Sequence, residues 1–309
     1  MNTLSPSQRG ETFTVPKLNP HDLITNIIVE QLEKGIIPWQ KPWTGGDDKA
    51  LAFPKNCTTG KFYRGINIVL LLCSAIKNEF ASAEWASMKQ WNKKGESIRK
   101  GEKGNLIVYY DTLEKEVEGE IEKIAFLKTS YVFNRCQLKG YQPPEKPTPP
   151  DAPTLIQRME QVDTFIANTK AIIEYHDGGA CYIPSQDKIK IPFAENFIDT
   201  TTCTAQEGFY STQLHELAHW SGAEKRLNRT KGKKFGDQQY AGEELIAEFT
   251  AAFLCAGFGM RTVEKGDHAG YIQSWLKLLN ENRYALVNAA SEASKAVDYL
   301  HSLQPVNDN

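Results

Sequence analysis

Two histidines four residues apart, His215 and His219, enclose a glutamate at position 216 in the segment HELAH. Residues four apart on a helix lie one turn apart on the same face, so both imidazoles can reach a single metal ion. Two histidine ligands beside a carboxylate suit a zinc ion whose bound water gives up a proton. The spacing therefore predicts a metal-dependent hydrolase site with Glu216 as the general base.

The residues around this segment favour a helix. Residues 209–220 read FYSTQLHELAHW, and the pattern predicts a helix that begins near Ser211 or Thr212. Leu214 and Leu217 would then face the core while the histidines line a cleft. A surface helix with incidental histidine and glutamate is the alternative that the motif alone leaves open.

A catalytic zinc ion keeps three protein ligands and one position for water, so the motif needs a third ligand. Residues 241–254, AGEELIAEFTAAFL, favour a helix and include Glu243, Glu244 and Glu248. Glu244 and Glu248 lie one turn apart, so one can bind metal while the other holds a ligand histidine. Glu243 lies about 100° away around the helix and is expected to face solvent. The alternative is that these glutamates bind no metal and form an exposed, acidic first turn, which the helix dipole favours.

Together the two segments resemble the gluzincin type of metallopeptidase, in which H-E-x-x-H is followed by E-x-x-x-D or E-x-x-x-E on a second helix. The resemblance implies that His215, His219 and Glu244 bind the metal. It also implies that Glu216 is the base and that Glu248 is the carboxylate behind a ligand histidine. The expected ion is Zn²⁺, and Mn²⁺ or Co²⁺ also suits this ligand set.

The chain has 309 residues, enough for two domains each with its own core, and a formal net charge of −2. Any nucleic-acid surface must therefore be local. No apolar run is long enough to cross a bilayer, and the first residues lack the apolar stretch of a signal peptide. The six cysteines are isolated, which indicates a reducing compartment, so we expect a soluble cytoplasmic protein without a membrane partner.

A proline-dense segment, residues 142–153, predicts a linker, because proline excludes helices and central strands. It separates a first domain at 21–141, preceded by a mobile N-terminus at 1–20, from a second domain at 154–309. We expect an α+β protein. The first domain would combine helices with a small antiparallel sheet, and the second would be mainly helical with a short sheet.

The pattern of apolar residues predicts individual elements in both domains. In the first domain the expected helices are 21–34, 64–77 and 82–95, and the expected strands are 105–110 and 122–133 around a hairpin loop. In the second domain we expect a helix at 155–167, short strands within 182–192, the two metal helices, and two helices within 269–303.

The first domain is also rich in basic and aromatic residues. Single-stranded nucleic acid is commonly held by a basic groove with aromatic rings that stack on bases. The candidate DNA-contacting residues are Trp39, Lys41, Trp43, Lys61, Tyr63, Arg64, Lys93, Lys94, Arg99, Lys100 and Lys103, with Trp91 in the same cluster. Composition alone supports equally an alternative in which the tryptophans belong to the core and the lysines to a solvated face.

Longer motifs resemble a known family. The segments EKGIIPWQKPW, TGKFYRGIN and IRKGEKGNLIVYY resemble the N-terminal domain of ArdC antirestriction proteins, which also occurs in TraC-type primases of conjugative plasmids. The second domain is similar through TQLHELAHWSG, the Arg226-Leu227 pair and YAGEELIAEFTAAFLCAGFG. The resemblance spans nearly all of residues 21–303. It implies an antirestriction protein of a mobile element that binds single-stranded DNA and protects incoming DNA from host restriction during conjugation.

Three hypotheses stay open at this point. In the first, DNA binding protects the incoming DNA, and duplex DNA is a further candidate partner. The zincin-like domain then regulates this activity or acts on an unknown protein. In the second, an active zinc protease cleaves a restriction enzyme or a DNA-bound protein, residues 182–192 pair with its substrate, and Tyr240 or His268 stabilises the oxyanion. The third is a structural metal domain, which three protein ligands and an intact Glu216 disfavour.

Overall fold

A computed structural model describes residues 19–39, 53–117, 120–142, 155–200, 203–229, 238–260 and 268–305. The first half, up to residue 142, contains α1 (Pro20–Glu33), β1 (Lys55–Asn56), α2 (Ile66–Lys77), β2 (Glu84–Ala86), α3 (Met88–Lys93), β3 (Asn105–Val117) and β4 (Glu120–Asn134). The second half, from residue 155, contains α4 (Leu155–Asn168), β5 (Ile172–His176), β6 (Cys181–Ile183), β7 (Lys188–Pro192), α5 (Ala205–Ser221), α6 (Gln238–Gly257), α7 (His268–Glu281) and α8 (Ala285–Ser302). The expected α+β class is confirmed.

The first sheet has the order β1-β2-β4-β3, and its main part is the long antiparallel hairpin of β3 and β4. Both strands continue through residues that we expected to form the hairpin loop, so the prediction of that loop is wrong in its extent. The register pairs Glu114 with Lys123 and Lys115 with Glu122. Which residues of the two strands face each other depends on this register, and the sequence alone does not show it.

The single helix expected at 82–95 is also wrong, because the structure divides it into β2 and α3. Ser87 separates the two elements and caps α3 in a capping box with Gln90. The Ser-x-x-Gln spacing is a known helix-start signal, and it outweighs the amphipathic pattern before it. Trp85 in β2 is buried against Leu71, Ala75 and Val132 instead of lying on a helix.

The second sheet has the order β5-β7-β6, with β5 parallel and β6 antiparallel to the central β7. Strands were expected within 182–192, and β5 was not. The helix α5 packs on this sheet and begins at Ala205, earlier than the start expected near residue 211. Thr204 caps it in a capping box with Glu207, a stronger start signal than the first apolar residue.

The largest cluster of buried residues combines the two halves. Trp39, which follows α1, packs edge-on against Phe249 of α6 and Trp275 of α7, with ring centroids 4.8 and 5.4 Å apart. The cluster also joins α2 to α8. Smaller clusters lie within one half only. The expectation that each half has its own core therefore misses this shared cluster. The predicted domain boundaries stay a prediction, since residues 143–154 lie outside the described residues.

The apolar run of α2 is buried on nearly every side within the molecule. Among the described helices, none combines the length and the apolar character that a bilayer crossing requires. All six cysteines belong to the described part of the chain, and each is a free thiol.

Candidate metal centre

The histidines of α5 meet Glu244 of α6 in the interior of the second half. Their Nε2 atoms are 3.2 Å apart, and the Glu244 carboxylate lies 3.5 Å from His215 Nε2 and 3.3 Å from His219 Nε2. Donors about 2.0–2.1 Å from one tetrahedral ion stand roughly 3.3 Å from each other. The three residues could therefore hold one divalent cation with little rearrangement.

Each histidine also has a carboxylate behind its second ring nitrogen. His215 Nδ1 lies 3.4 Å from Glu248 Oε1, and His219 Nδ1 lies 3.3 Å from Glu243 Oε1. Such partners fix the tautomer and the orientation of a ligand imidazole. Glu248 lies where the sequence argument placed it, whereas the expectation that Glu243 faces solvent is wrong, since Glu243 is only 5% exposed.

Glu243 is buried because Arg229 reaches it from the segment between α5 and α6. Arg229 donates to both Glu243 oxygens, at 3.1 and 2.8 Å, and also to the Ala218 carbonyl at 2.6 Å and the Ser221 hydroxyl at 3.0 Å. Its side chain is 4% exposed. Sequence reasoning missed this arginine because no fixed spacing relates it to the motif.

The charges of this cluster depend strongly on one another. Burial alone would lower the pKa of His219, but contacts with Glu243 and Glu244 raise it to about 9. Burial would raise the pKa of Glu243, yet His219 and Arg229 lower it to about 2. The pKa of Glu244 falls in the same direction, against the effect of burial, because of both histidines. Near neutral pH a proton on His219 would therefore compete with a divalent cation.

Glu216 is buried beside the histidines. Tyr240, at the start of α6, forms a hydrogen bond with Glu244. Burial, and then the charge of Glu244, raise the pKa of Tyr240. Burial and then the charge of Glu216 raise the pKa of Cys181 on β6. The edge strand β6 packs against α5 and Tyr240 hydrogen-bonds Glu244, so both adjoin the same site. The other oxyanion candidate, His268, begins α7, and its side chain lies outside the described residues.

Arg226 connects the end of α5 to the β6–β7 hairpin. Its guanidinium lies 3.9 Å from the centre of the Trp220 ring and donates to the Tyr182 hydroxyl at 3.1 Å. It also pairs with Asp187, whose pKa it holds well below the usual range. These contacts hold β6 in place beside the metal-binding helix.

The candidate DNA-contacting residues that the structure describes are either buried or half-buried aromatic residues or exposed cations. Trp39 is 4% exposed, which agrees with the alternative in which the tryptophans belong to the core, and Trp91 is fully buried. Tyr63 is half-buried and accepts a hydrogen bond from Asn56 at 3.3 Å. Lys41 and Trp43 lie outside the described residues. The exposed candidates are the cations Lys61, Arg64, Lys93, Lys94, Arg99, Lys100 and Lys103.

Other aromatic rings in the first half are exposed and were not anticipated. They are Phe62 and, on the β3–β4 hairpin, Tyr109, Tyr110, Phe126 and Tyr131. Sequence reasoning missed them because neighbouring strand residues point to opposite faces, and only the register shows which face is covered.

Both halves match described families. Residues 19–133 match the N-terminal domain of anti-restriction factor ArdC, and residues 160–292 match a zincin-like metallopeptidase family. The crystal structure of the antirestriction ArdC protein from the R388 plasmid, in its metal-free form, is 34% identical with a TM-score of 0.74. The match covers 93% of this chain and 98% of that one. The chain belongs to the ArdC antirestriction family.

Further relatives extend this ArdC comparison. The Mn(II)-bound structure of the same R388 protein is 31% identical with a TM-score of 0.73, over 94% of this chain and 100% of that one. The uncharacterized protein y4eC of Sinorhizobium fredii is 32% identical over 92% of both chains. DNA primase TraC of Escherichia coli is 32% identical over 92% of this chain, which spans only 20% of the primase. The expected resemblance to ArdC is therefore confirmed.

Proposed function

We propose that this ArdC-family protein binds single-stranded DNA and so protects the DNA of a mobile element from host restriction. The observation that carries the proposal is the near-complete match to an antirestriction protein. The exposed lysines and arginines of the first half support it, because the net charge of −2 leaves DNA binding to a local surface. The free thiols support a cytoplasmic location.

Binding should be measured with the full chain, a labelled single strand and the corresponding duplex. We expect tighter binding to the single strand, and affinity should fall steeply with salt because phosphate contacts release counterions. Equal affinity for both forms, or none for the single strand, would contradict the proposal. Because the two halves share a core cluster, point variants of the full chain are better probes than isolated halves.

For the second half we propose a divalent metal site with His215, His219 and Glu244 as ligands. Zn²⁺ agrees with the ligand set, and the Mn(II)-bound relative supports Mn²⁺ as a second occupant. The bound cation would supply Lewis acidity toward a carbonyl oxygen and a water. Glu216 would take and hold the proton of the water, while Glu243 and Glu248 orient the imidazoles.

A second candidate function is cleavage of a protein substrate. The observation that favours it is that β6, a strand at the sheet edge, packs against α5, the helix that carries Glu216. An extended peptide could pair with that edge through backbone hydrogen bonds. Tyr240 would then donate a hydrogen bond near the developing oxyanion.

The variant Glu216→Gln separates the two functions. It keeps the size of the side chain and removes the base, so it should abolish any cleavage and leave metal and DNA binding intact. If the variant protects DNA from a restriction enzyme as well as the wild type does, proteolysis is not the protective mechanism. Loss of protection with unchanged DNA affinity would instead favour the protease.

A further inference from the structure

A cleft of about 350 Å³ opens where the β3–β4 hairpin, the start of α2 and the helix α8 meet. We call it the hairpin cleft. Its lining includes Arg64, Val108, Tyr110, Leu127, Ser291 and Lys295, which come from both halves of the chain, and it includes no residue of the metal centre. Its volume is near the lower end of the roughly 300–1,000 Å³ that small-molecule sites occupy.

The floor of the cleft is apolar and firmly held. Val108, Leu127 and Val287 are buried there. Asn67 of α2 donates to the Val108 carbonyl at 2.7 Å and accepts from the Val108 amide at 2.8 Å. This pair of bonds joins α2 to β3 as a further strand would, so the floor is already in place before a ligand arrives.

An exposed aromatic ring stands on the same sheet face as the floor. Tyr110 pairs with Leu127 across the hairpin and follows Val108 by two residues, so the three side chains share one face. Tyr110 is nevertheless 63% exposed. This exposed ring lies next to the apolar floor, so an unpaired base could stack on it.

Two cations lie at the cleft, one from each half. Arg64 is 65% exposed and pairs with Asp298, and Lys295 is 61% exposed and lies 2.6 Å from Glu292. Exposed ion pairs such as these contribute little stability, so a phosphate can replace the carboxylates at small cost. Both cations line the cleft, while the carboxylates that pair with them, Asp298 and Glu292, do not.

We propose that the hairpin cleft holds one nucleotide of a single strand, with its base on Tyr110 and the apolar floor and its phosphate between Arg64 and Lys295. The proposal rests on the proposed binding of single-stranded DNA and adds its location. It makes α8, in the metallopeptidase half, part of the DNA site. A paired and stacked duplex base cannot enter such a cleft without flipping out, which favours single strands.

Fluorescence anisotropy of the full chain with a labelled oligothymidylate at several salt concentrations tests the assignment. Tyr110→Ala should raise the Kd roughly 5- to 150-fold and leave the salt slope unchanged. The double variant Arg64→Gln, Lys295→Gln should raise the Kd roughly tenfold and reduce the slope by about 0.7, since the one phosphate held between the two cations contributes about 0.7. Asp298→Asn should tighten binding, because it releases Arg64.

The chain offers matched controls for each change. Arg283 pairs with Asp22, and Lys34 pairs with Glu30, at similar exposure to the cleft cations, while Tyr284 is an exposed ring elsewhere. The double variant Arg283→Gln, Lys34→Gln and the variant Tyr284→Ala should bind like the wild type. If the wild type binds no single strand, both proposals are overturned. If it binds but the cleft variants match these controls, only the cleft assignment is overturned.

Discussion

At the scale of single residues, the metal centre depends on side chains outside the motif. His215 and His219 are oriented by Glu248 and Glu243, and Glu243 is in turn held by a buried arginine. A buried carboxylate without its cation would be costly, so Arg229 is needed for Glu243 to stay charged at this position. We therefore expect metal affinity to depend partly on Arg229, a residue in the segment between the two helices.

Glu243→Gln and Arg229→Gln should each weaken metal binding about 10- to 100-fold, because loss of the partner frees the ligand imidazole to rotate. Competition with a fluorescent zinc chelator measures this directly. Glu174→Gln is the control, since Glu174 is an ion-paired carboxylate on β5 away from the ligands. Unchanged affinity in both variants would show that neither contact orients His219.

The raised pKa of His219, about 9 against an ordinary 6.5, predicts a pH dependence of stability in excess chelator. Protonation is favoured in the folded state, so its stabilising contribution is complete below about pH 6.5 and is lost as the pH rises through 9. Thermal melts between pH 6 and 9.5 should therefore show a falling Tm. Glu243→Gln should flatten this trend, and a Tm that rises over the range would contradict the assignment.

At the scale of elements, capping decides where the site helix begins. Thr204 and Glu207 exchange hydrogen bonds at the start of α5, and the added turns before the motif pack on the second sheet. The β6–β7 hairpin is in turn held by Arg226 through Tyr182 and Asp187. Helix and edge strand are thus held next to each other by polar contacts outside the metal ligands.

Thr204→Ala should destabilise the protein by about 1 kcal/mol, because an N-cap hydroxyl is lost and an amide is left without its partner. Denaturant unfolding at a fixed metal concentration measures the change. Thr164→Ala serves as the control, since Thr164 lies inside α4, is exposed, and donates to the Glu160 carbonyl one turn earlier. Equal stability of the two variants would argue against the capping role.

At the scale of the whole molecule, the two halves share the cluster around Trp39. The helix α1 packs on α7 and α8, α2 packs on α8, and Trp39 packs on α6, so helices from the metallopeptidase half cover apolar surface of the first half. α6 carries Glu244 on one side and contributes Phe249 to the shared cluster on another. The metal centre and the first half are therefore joined through a single rigid element.

Trp39→Ala should cost about 3–5 kcal/mol, because it leaves a large cavity in this shared cluster. Both halves should then unfold at a lower temperature together. The DNA affinity of the protein that remains folded should stay near wild type, in contrast with Tyr110→Ala. Calorimetry measures the change in Tm, and fluorescence anisotropy below the unfolding transition measures the DNA affinity. An unchanged Tm would contradict the shared core.

Much of the architecture was predictable from local pattern. The helices α1, α2 and α4 agree with the predicted bounds within a residue or two, because the spacing of apolar residues acts locally. The helix expected at 82–95 failed because amphipathic spacing does not reveal the cap at Ser87 that ends one element and starts another. The prediction that Glu243 faces solvent was wrong because its angle on the helix does not show whether another segment covers that face.

The sequence by itself determined which candidate donors share a helix face, His215 with His219 and Glu244 with Glu248, since a spacing of four is a property of the helical repeat. Only the tertiary structure brought the two helices together and decided what surrounds these donors, namely Arg229 behind Glu243 and the strand β6 against α5. It also decided that Trp39 is core and Tyr110 is exposed. Local spacing is set by bonded geometry, whereas burial depends on which distant segments pack together.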